Sequence, residues 1–229
     1  MAEHSSFITG NDYIFVSDMM AAVGLNQLLG NKHHDSQDAR IKIIHPSSVL
    51  EQSEPSDRES CRKLIVYLSR DPTSLLLLLK ETATYLMQAE TPEEVIIITP
   101  HSFNWLYYTL KSLVHPEVLC KVRAVDASDS LQDIRRLVFL SLTDECLSIQ
   151  ARREEIATGE AIIGLTRREY DCVLDFFCGR SIKEPFYSPK NSTVATRYSQ
   201  RNAGLRKLVK QLPMMATVVR KKRVSVMGR

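Results

Sequence analysis

Short apolar runs alternate with segments of helical periodicity over the first 140 residues of the chain. The clearest runs are Tyr13–Val16, Leu64–Leu68 and Val95–Thr99, and weaker ones lie at Ile41–His45 and Lys121–Val125. The central runs are apolar throughout, which is typical of strands in a parallel sheet that is covered on both faces. The first 140 residues therefore predict an α/β fold with a five-stranded, doubly wound sheet.

Helix signals fall between these strands. Asp18 is placed to cap a helix that runs to about Leu29, and Asp71-Pro72 combines a cap with a proline at the first helical position. The leucine run Leu75–Leu79 is too short to span a bilayer, so we interpret it as core. The helices after strands three, four and five are expected over residues 72–88, 101–114 and 129–139.

A further amphipathic helix is predicted beyond residue 164. Thr166 and Glu169 have the spacing of a capping box, and Gly179 is placed to end the helix. Four apolar residues between them follow the spacing of a buried helix face: Tyr170, Val173, Leu174 and Phe177.

Charge divides the chain into two parts. Residues 1–150 hold 13 Lys+Arg and 20 Asp+Glu, whereas residues 151–229 hold 17 Lys+Arg and 7 Asp+Glu. No acidic residue follows Glu184, while 11 basic residues do. An acidic half joined to a basic half predicts two domains, of which the second faces a polyanion.

Composition and motifs exclude several classes of function. The chain is 44% hydrophobic and 25% charged, which is typical of a globular protein. Five cysteines without CxxC spacing, and a start without signal-peptide features, predict a cytoplasmic location. The His33-His34 pair has no further ligand at a fitting spacing, and no phosphate-binding or nucleophile motif occurs. We therefore expect no metal, no cofactor and no enzymatic activity.

The order of strands and helices, together with the stretch Phe15-Val16-Ser17-Asp18-Met19, resembles a response-regulator receiver domain over residues 12–140. A functional receiver holds Mg²⁺ on an acid pair after the first strand. It also has an aspartate acceptor at the end of the third strand and a lysine after the fifth.

Most of that chemistry is missing from this chain. Asp18 is all that is left of the acid pair, Leu68 falls at the acceptor position and Val125 at the lysine position. Thr99 does match the family's hydroxyl after the fourth strand. Without the acceptor, the metal and the lysine there is no group to stabilise phosphoryl transfer. We interpret this half as a pseudo-receiver, with Asp71 as a weak alternative acceptor whose simpler role is the helix cap.

The stretch Leu165-Thr166-Arg167-Arg168-Glu169, with Gly179, Ser181 and Lys183-Glu184 after it, resembles the opening of the LuxR/FixJ-type DNA-binding domain. That family implies a four-helix helix-turn-helix domain whose third helix enters the major groove. Pro185 and Pro189 fall in the family's scaffold helix, which must therefore be short, distorted or rebuilt.

Two registers of the recognition helix are compatible with the resemblance. One matches Thr193-Val194 to the family's Thr-Val pair. The other matches Thr196 to that threonine and Lys207 to the lysine that ends the family's helix, and it needs only a one-residue insertion. We prefer the second register, which makes Thr196 the N-cap of a helix over 197–209.

In this register Arg197, Gln200, Arg201, Gly204 and Lys207 share one face, while Leu205 and Leu208 are expected to pack on the first helix. Arginine and glutamine bind guanine and adenine edges, and lysine more often meets phosphate. The basic tail, Arg220 to Arg223, offers further phosphate contacts or is a disordered end. The residues expected to contact DNA are Thr196, Arg197, Gln200, Arg201, Lys207, Lys210, Lys221 and Lys222.

The resemblances predict a domain plan and a function. Residues 1–140 form the receiver-like domain, 141–164 a charged linker, and 165–229 the DNA-binding domain with its basic tail. The implied protein is a transcriptional regulator that binds double-stranded DNA as a homodimer, or as a heterodimer with another response-regulator-type protein. It resembles the atypical RcsA- and BglJ-like regulators that pair with RcsB. The alternative is a regulator that acts through protein–protein interaction only, with a degenerate DNA-binding domain.

The missing acceptor and lysine generate a first prediction. Incubation with acetyl phosphate and Mg²⁺ should leave the intact mass of the protein unchanged, because nothing in the receiver-like half stabilises the transferred phosphoryl group. Intact-mass spectrometry measures this directly. A stable gain of one phosphoryl group on Asp71 would contradict the pseudo-receiver interpretation.

Overall fold

The computed structural model of the chain describes residues 13–29, 40–43, 63–87, 92–139, 145–159, 163–213 and 215–227. The His33-His34 pair and the last two residues of the predicted second strand lie outside these ranges. Within them, no helix combines the length and the apolar character needed to cross a membrane.

The described strands form one sheet of five parallel strands in the order β2-β1-β3-β4-β5. This is the order of flavodoxin-like doubly wound sheets. The α/β prediction for this part of the chain is confirmed. The strands are β1 (Tyr13–Val16), β2 (Arg40–Ile43), β3 (Lys63–Tyr67), β4 (Glu94–Thr99) and β5 (Val122–Asp126).

Both faces of the sheet are buried, as the continuous apolar runs predict. Successive strand residues point to opposite faces. Ile14 and Ile65 therefore belong to one apolar cluster, and their neighbours Phe15 and Val66 to another. Ile65 pairs with Ile14 of β1 and Ile96 of β4, so large branched side chains meet across the centre of the sheet.

Helices cover each face. Asp18 and Asp71 are the helix caps that the sequence predicts, since their carboxylates accept hydrogen bonds from Ala21 N and Ser74 N, both at 2.8 Å. The helices of this part are α1 (Met19–Leu29), α2 (Pro72–Leu86), α3 (Phe103–Leu113) and α4 (Leu131–Phe139), with a 3-10 helix over Pro116–Lys121. Residues of α1 and α4 belong to one apolar cluster, and residues of α2 and α3 to the other.

Charged side chains from three strands fix the end of α4. Arg123 donates to the carbonyl oxygens of Leu137 and Val138, and Lys63 Nζ donates to Val138 O at 3.1 Å. Glu94 lies between the two cations, 2.5 Å from Arg123 Nε and 3.2 Å from Lys63 Nζ. Basic groups at a helix C-terminus satisfy carbonyls that have no partner within the helix.

The segment expected to be an exposed linker contains a packed helix, α5 (Leu147–Thr158). Leu147 and Ala151 are buried, and α5 packs on α3 and β5. The amide of Gln150 exchanges two hydrogen bonds with the backbone of Ala124 in β5. Its Oε1 accepts from Ala124 N at 2.8 Å and its Nε2 donates to Ala124 O at 2.9 Å. This helix is therefore an integral part of the α/β body.

Three helices follow α5 in the described residues: α6 (Arg167–Phe177), α7 (Val194–Gln211) and α8 (Met215–Met227). The expected four-helix arrangement is wrong here, because the described segment 178–193 contains no helix. Two prolines, Pro185 and Pro189, lie in this segment, and each removes a backbone donor that a helix would need.

The C-terminal helices share a core with the sheet. One apolar cluster contains strand residues, most of α2 and α3, and residues of all three C-terminal helices, including Leu174, Leu205 and Val219. The change in charge along the chain therefore does not coincide with a break in packing. The division into domains at residues 140 and 165 stays a prediction.

The apolar surface of helix α2 explains why the hydrophobic core extends beyond the sheet to the C-terminal helices. All five leucines of Leu75–Leu79 are 0% exposed. A helix that is apolar all round needs neighbours on every side. The sheet covers one side of α2 and α6 covers another, where the Tyr170 hydroxyl donates to the carbonyl oxygen of Leu76.

A close backbone approach between the two parts lies at Gly164 and generates a prediction. A Cβ at this position would lie 2.4 Å from Tyr108 C and 2.5 Å from Thr109 N. We expect Gly164→Ala to destabilise the protein by about 1–3 kcal/mol, because backbone atoms must move to admit the methyl group. Urea unfolding measures the change in the free energy of unfolding.

Gly24→Ala is the matched control. Gly24 lies inside α1, and a Cβ at this position would have nothing within 4 Å. Alanine should therefore stabilise the helix by about 0.5–1 kcal/mol. If Gly164→Ala unfolds at the same urea concentration as the parent, the backbone of Tyr108 and Thr109 accommodates the methyl group and this contact does not constrain the packing of the two parts.

Candidate nucleic-acid interface

Helix α6 is the central element of the C-terminal part. Its start is the predicted capping box: Thr166 Oγ1 accepts from Glu169 N at 3.4 Å, and Glu169 Oε2 accepts from Thr166 N at 2.9 Å. Its end is the predicted glycine cap, since Gly179 has a φ of +74°. Every residue from Glu169 to Phe177 is buried. Both ends of the helix are therefore where the sequence predicts them.

Three of those buried residues are acidic, and two of them pair with lysines on neighbouring helices. Glu169 Oε2 lies 2.7 Å from Lys207 Nζ on α7, and Asp171 Oδ1 lies 2.9 Å from Lys80 Nζ on α2. Burial raises the pKa of Asp171, and the nearby Lys80 opposes that shift. Each ion pair joins α6 to a different helix.

The third acid, Asp175, organises the segment 178–193, which contains no helix. Its carboxylate accepts from the backbone N–H groups of Phe186, Tyr187 and Ser188, each at 2.9 Å. The Ser188 hydroxyl also donates to it. A buried carboxylate that accepts several N–H bonds holds a turn in one conformation. The turn at residues 186–188 is thus held around the side chain of Asp175.

Helix α7 begins three residues earlier than the preferred register predicts. Its N-cap is Thr193, whose Oγ1 accepts from Thr196 N at 3.1 Å. The prediction of Thr196 as the cap is therefore wrong, since the cap is Thr193, the threonine of the alternative register. Thr196 lies in the first turn, where its side chain is exposed.

The face of α7 that the preferred register assigns to DNA packs inward. Arg197 is 7% exposed and Gly204 is buried beside Leu205 and Leu208, which do pack inward as predicted. A Cβ on Gly204 would lie 2.6 Å from a methyl group of Val173, so this glycine permits close approach of α6.

Two more of the predicted contact residues are engaged within the protein. The Arg201 guanidinium lies over the rings of Tyr198 and Phe176, at 4.7 Å and 5.5 Å from their centroids. Lys207 pairs with Glu169, and Gln200 is half-buried. Arg201 and Lys207 therefore contribute to packing, because α6 supplies an aromatic ring and a carboxylate that receive them.

The opposite side of α7 is the exposed one. Ser199, Arg206 and Lys210 are exposed and Asn202 is half-buried. These positions are spaced at three or four residues, which places them on one helix face. Of the four, only Lys210 is among the residues predicted from the sequence. We call this set, Ser199, Asn202, Arg206 and Lys210, the α7 stripe.

Basic residues dominate the exposed charges of the described C-terminal residues. Among the described residues from 163 onward, the exposed cations include Arg168, Arg180, Lys183, Lys190, Arg206, Lys210, Arg220 and Lys221. The acids of the same ranges are Glu169, Asp171 and Asp175, which are buried, and Glu184, which is exposed. Burial of the three acids thus leaves an outer surface that is strongly positive. The side chain of Lys222 lies outside the described residues.

The polar groups at the carboxyl edge of the sheet form local hydrogen bonds. In a receiver domain, this edge holds the phosphorylation site. Asp18 and Asp71 are helix caps, and Asp126 Oδ1 accepts from Ser128 N at 2.7 Å. Leu68 is 0% exposed at the acceptor position. Among the described residues, no group of three or more His, Cys, Asp or Glu side chains is arranged to hold a metal ion.

Thr99 and His101 complete this edge. Thr99 Oγ1 accepts from His101 N at 3.1 Å, and His101 Nε2 lies 3.0 Å from the carbonyl oxygen of Ser69. His101 is 6% exposed. Burial lowers the pKa of His101 below its ordinary value of 6.5, while the hydrogen bond to Ser69 acts in the opposite direction.

Comparison with known proteins finds no family model and no curated protein that matches this chain.

The lowered pKa of His101 predicts how stability depends on pH. In the window just below 6.5 the unfolded chain binds more protons than the folded chain, so the free energy of unfolding decreases as the pH falls. His101→Gln removes this contribution. We expect the parent to lose more stability than the variant when urea unfolding at pH 7.5 is compared with unfolding at pH 5.5. Equal losses in both proteins would show that His101 does not titrate differently in the folded state.

Proposed function

We propose that the protein is a DNA-binding transcriptional regulator in which α7 enters the major groove and the receiver-like half acts without phosphorylation. The observation that carries this proposal is the burial of the acids of α6. It leaves the C-terminal surface with Glu184 as its one exposed acid among the described residues. Such a surface attracts the phosphate backbone of DNA regardless of sequence.

The α7 stripe is the part of that surface suited to base contacts. Asparagine forms two hydrogen bonds with adenine and arginine forms two with guanine, while lysine commonly meets phosphate. Asn202 and Arg206 therefore replace Arg197 and Arg201 as the proposed base-reading residues. Lys210, Lys221 and Lys222 remain proposed phosphate contacts, and Thr196 and Gln200 lie at the border of the stripe.

The proposed role of the N-terminal half is pairing, with a second copy or with another response-regulator-type protein. The aspartates near the expected phosphorylation site cap helices, so no carboxylate among the described residues is available there to accept a phosphoryl group. Exposed methionines on α1, Met19 at 62% and Met20 at 81%, provide apolar surface for such pairing. Pairing sets the spacing of two α7 helices on DNA, as in other helix-turn-helix dimers.

Substitutions in the α7 stripe test base reading. The specific site is first identified by selection from a random-sequence DNA pool. The parent protein is used for this selection, alone and with candidate partners. Arg206→Ala and Asn202→Ala should each lose about 1–3 kcal/mol of discrimination between this site and scrambled DNA. Lys221→Ala should weaken binding to both DNAs alike and reduce the salt slope by about 1. Titrations at two salt concentrations measure both effects.

Two control variants distinguish a loss of base recognition from a loss of folding and from a general loss of positive charge. Arg135→Ala removes an exposed cation from α4 and should leave DNA binding unchanged. Arg197→Ala should lower the free energy of unfolding, because its position is buried against α6. If folded Arg206→Ala and Asn202→Ala bind as selectively as the parent, α7 does not read DNA.

The rebuilt segment 178–193 favours a second candidate function. A regulator that lacks the scaffold helix acts through protein–protein interaction only. This candidate takes the lead if the parent prefers no DNA sequence, either alone or with a partner.

A further inference from the structure

A cleft of about 540 Å³ lies between α3 and α5, away from the α7 stripe. Its size falls within the range of small-molecule sites in proteins. Its walls carry the rings of Tyr107 and Tyr108 from α3, and Ile149 and Ile156 from α5. Nothing in the proposed DNA contacts uses this cleft.

Asn104, near the start of α3, is a buried residue of the cleft lining. Its side chain is 0% exposed, and neither Nδ2 nor Oδ1 has a hydrogen-bond partner among the described residues. Its backbone N–H is satisfied separately, by Glu154 Oε2 at 2.7 Å. An unpaired buried amide costs about 1–3 kcal/mol for each group, and such a group in a folded protein calls for an explanation. A ligand with a matching donor and acceptor supplies one.

The charge of the walls indicates the sign of that ligand. Lys111, Arg152 and Arg153 line the cleft, against one lining carboxylate, Glu155. Arg153 pairs with Glu145 at 3.1 Å, and Lys111 Nζ lies 5.6 Å from the centroid of the Tyr107 ring. Lys111 and Arg152 are thus the cations with which a ligand anion would pair.

The two tyrosine rings indicate the shape of the ligand. Their centroids are 5.2 Å apart with the planes at 64°, so they form an angled aromatic wall. A planar group stacks on one ring face and meets the edge of the other. Because the Asn104 amide is fully buried, a ligand pairs with it only after side chains at the cleft wall shift.

We propose that the cleft between α3 and α5 binds a small organic anion that carries a planar ring with an amide-like edge. The ring packs on Tyr107 and Tyr108, the edge pairs with Asn104, and the anionic group pairs with Lys111 and Arg152. This proposal does not depend on DNA binding.

The chain's single tryptophan provides the readout. Trp105 is 0% exposed and directly follows Asn104, so its fluorescence is a probe of changes in α3 next to Asn104. Five probes separate the parts of the ligand. Orotate and AMP have ring, edge and anion; adenosine lacks the anion; benzoate lacks the edge; inorganic phosphate lacks the ring. We expect orotate or AMP to bind at least about tenfold more tightly than the other three, a difference of about 1.4 kcal/mol.

Variants locate the site on the folded, full-length chain. Lys111→Gln and Arg152→Gln are exposed positions and should each raise the Kd of the better probe about tenfold, whereas Arg135→Gln on α4 should not change it. Asn104→Leu should abolish the preference for orotate or AMP over benzoate, with circular dichroism to verify folding.

Two results would overturn the proposal. One is that neither orotate nor AMP changes the fluorescence or the melting temperature at about 10 mM, which means that the cleft holds solvent only. The other is that all anions bind equally, or that Lys111→Gln and Arg152→Gln bind as tightly as the parent. DNA binding enters none of these measurements, so its failure and the failure of this proposal are distinguishable.

Discussion

The burial of α6 between α2 and α7 is the constraint on which the C-terminal part depends. An apolar helix alone would fill this position, yet α6 carries three acids in its buried stretch. Each acid is satisfied by a different element: Glu169 by α7, Asp171 by α2, and Asp175 by the backbone of the 186–188 turn. Removing one partner of such a buried pair leaves an uncompensated charge, which is strongly destabilising. The three contacts therefore specify how α2, α7 and the turn are arranged around α6.

The same arrangement decides the electrostatics of the surface. A buried acid that is paired with lysine, or with backbone N–H groups, contributes little to the field outside the protein. The exposed cations of α7 and α8 then determine the potential that a large anion meets. Fold stability and the proposed DNA affinity thus depend on the same side chains. We expect variants of Glu169 or Asp175 to affect both properties together.

Local rules predicted most of the fold. Apolar runs located the five strands, and capping residues located the starts of α1, α2 and α6. The leucine run of α2 also indicates that the helix is covered on more than one side. Five consecutive buried residues in a helix require a second covering layer, which is α6. Periodicity within one segment cannot identify which other segment supplies that layer.

The site was predicted less well than the fold, for two physical reasons. Thr193 and Thr196 are both good N-cap residues, and the choice between them rested on a resemblance to a domain whose scaffold helix this chain lacks. Charged residues of α7 were also assigned to an exposed, DNA-facing surface. Arg201 and Lys207 instead pack on α6, where Phe176 and Glu169 receive them. Gly204 was a usable signal, because a glycine inside a helix often marks close approach of a neighbour.

The hydrogen bonds of the Gln150 amide limit how the edge of the sheet can associate with other molecules. The outer edge of a terminal strand is normally a template on which another chain can add a strand. At Ala124 both backbone groups of that edge are already bonded to a side chain that imitates a neighbouring strand. A second molecule cannot extend the sheet across β5 without displacing α5. Pairing with another protein at this edge must therefore use side-chain surfaces, and continuous intermolecular sheets, with the aggregation that they seed, are opposed there.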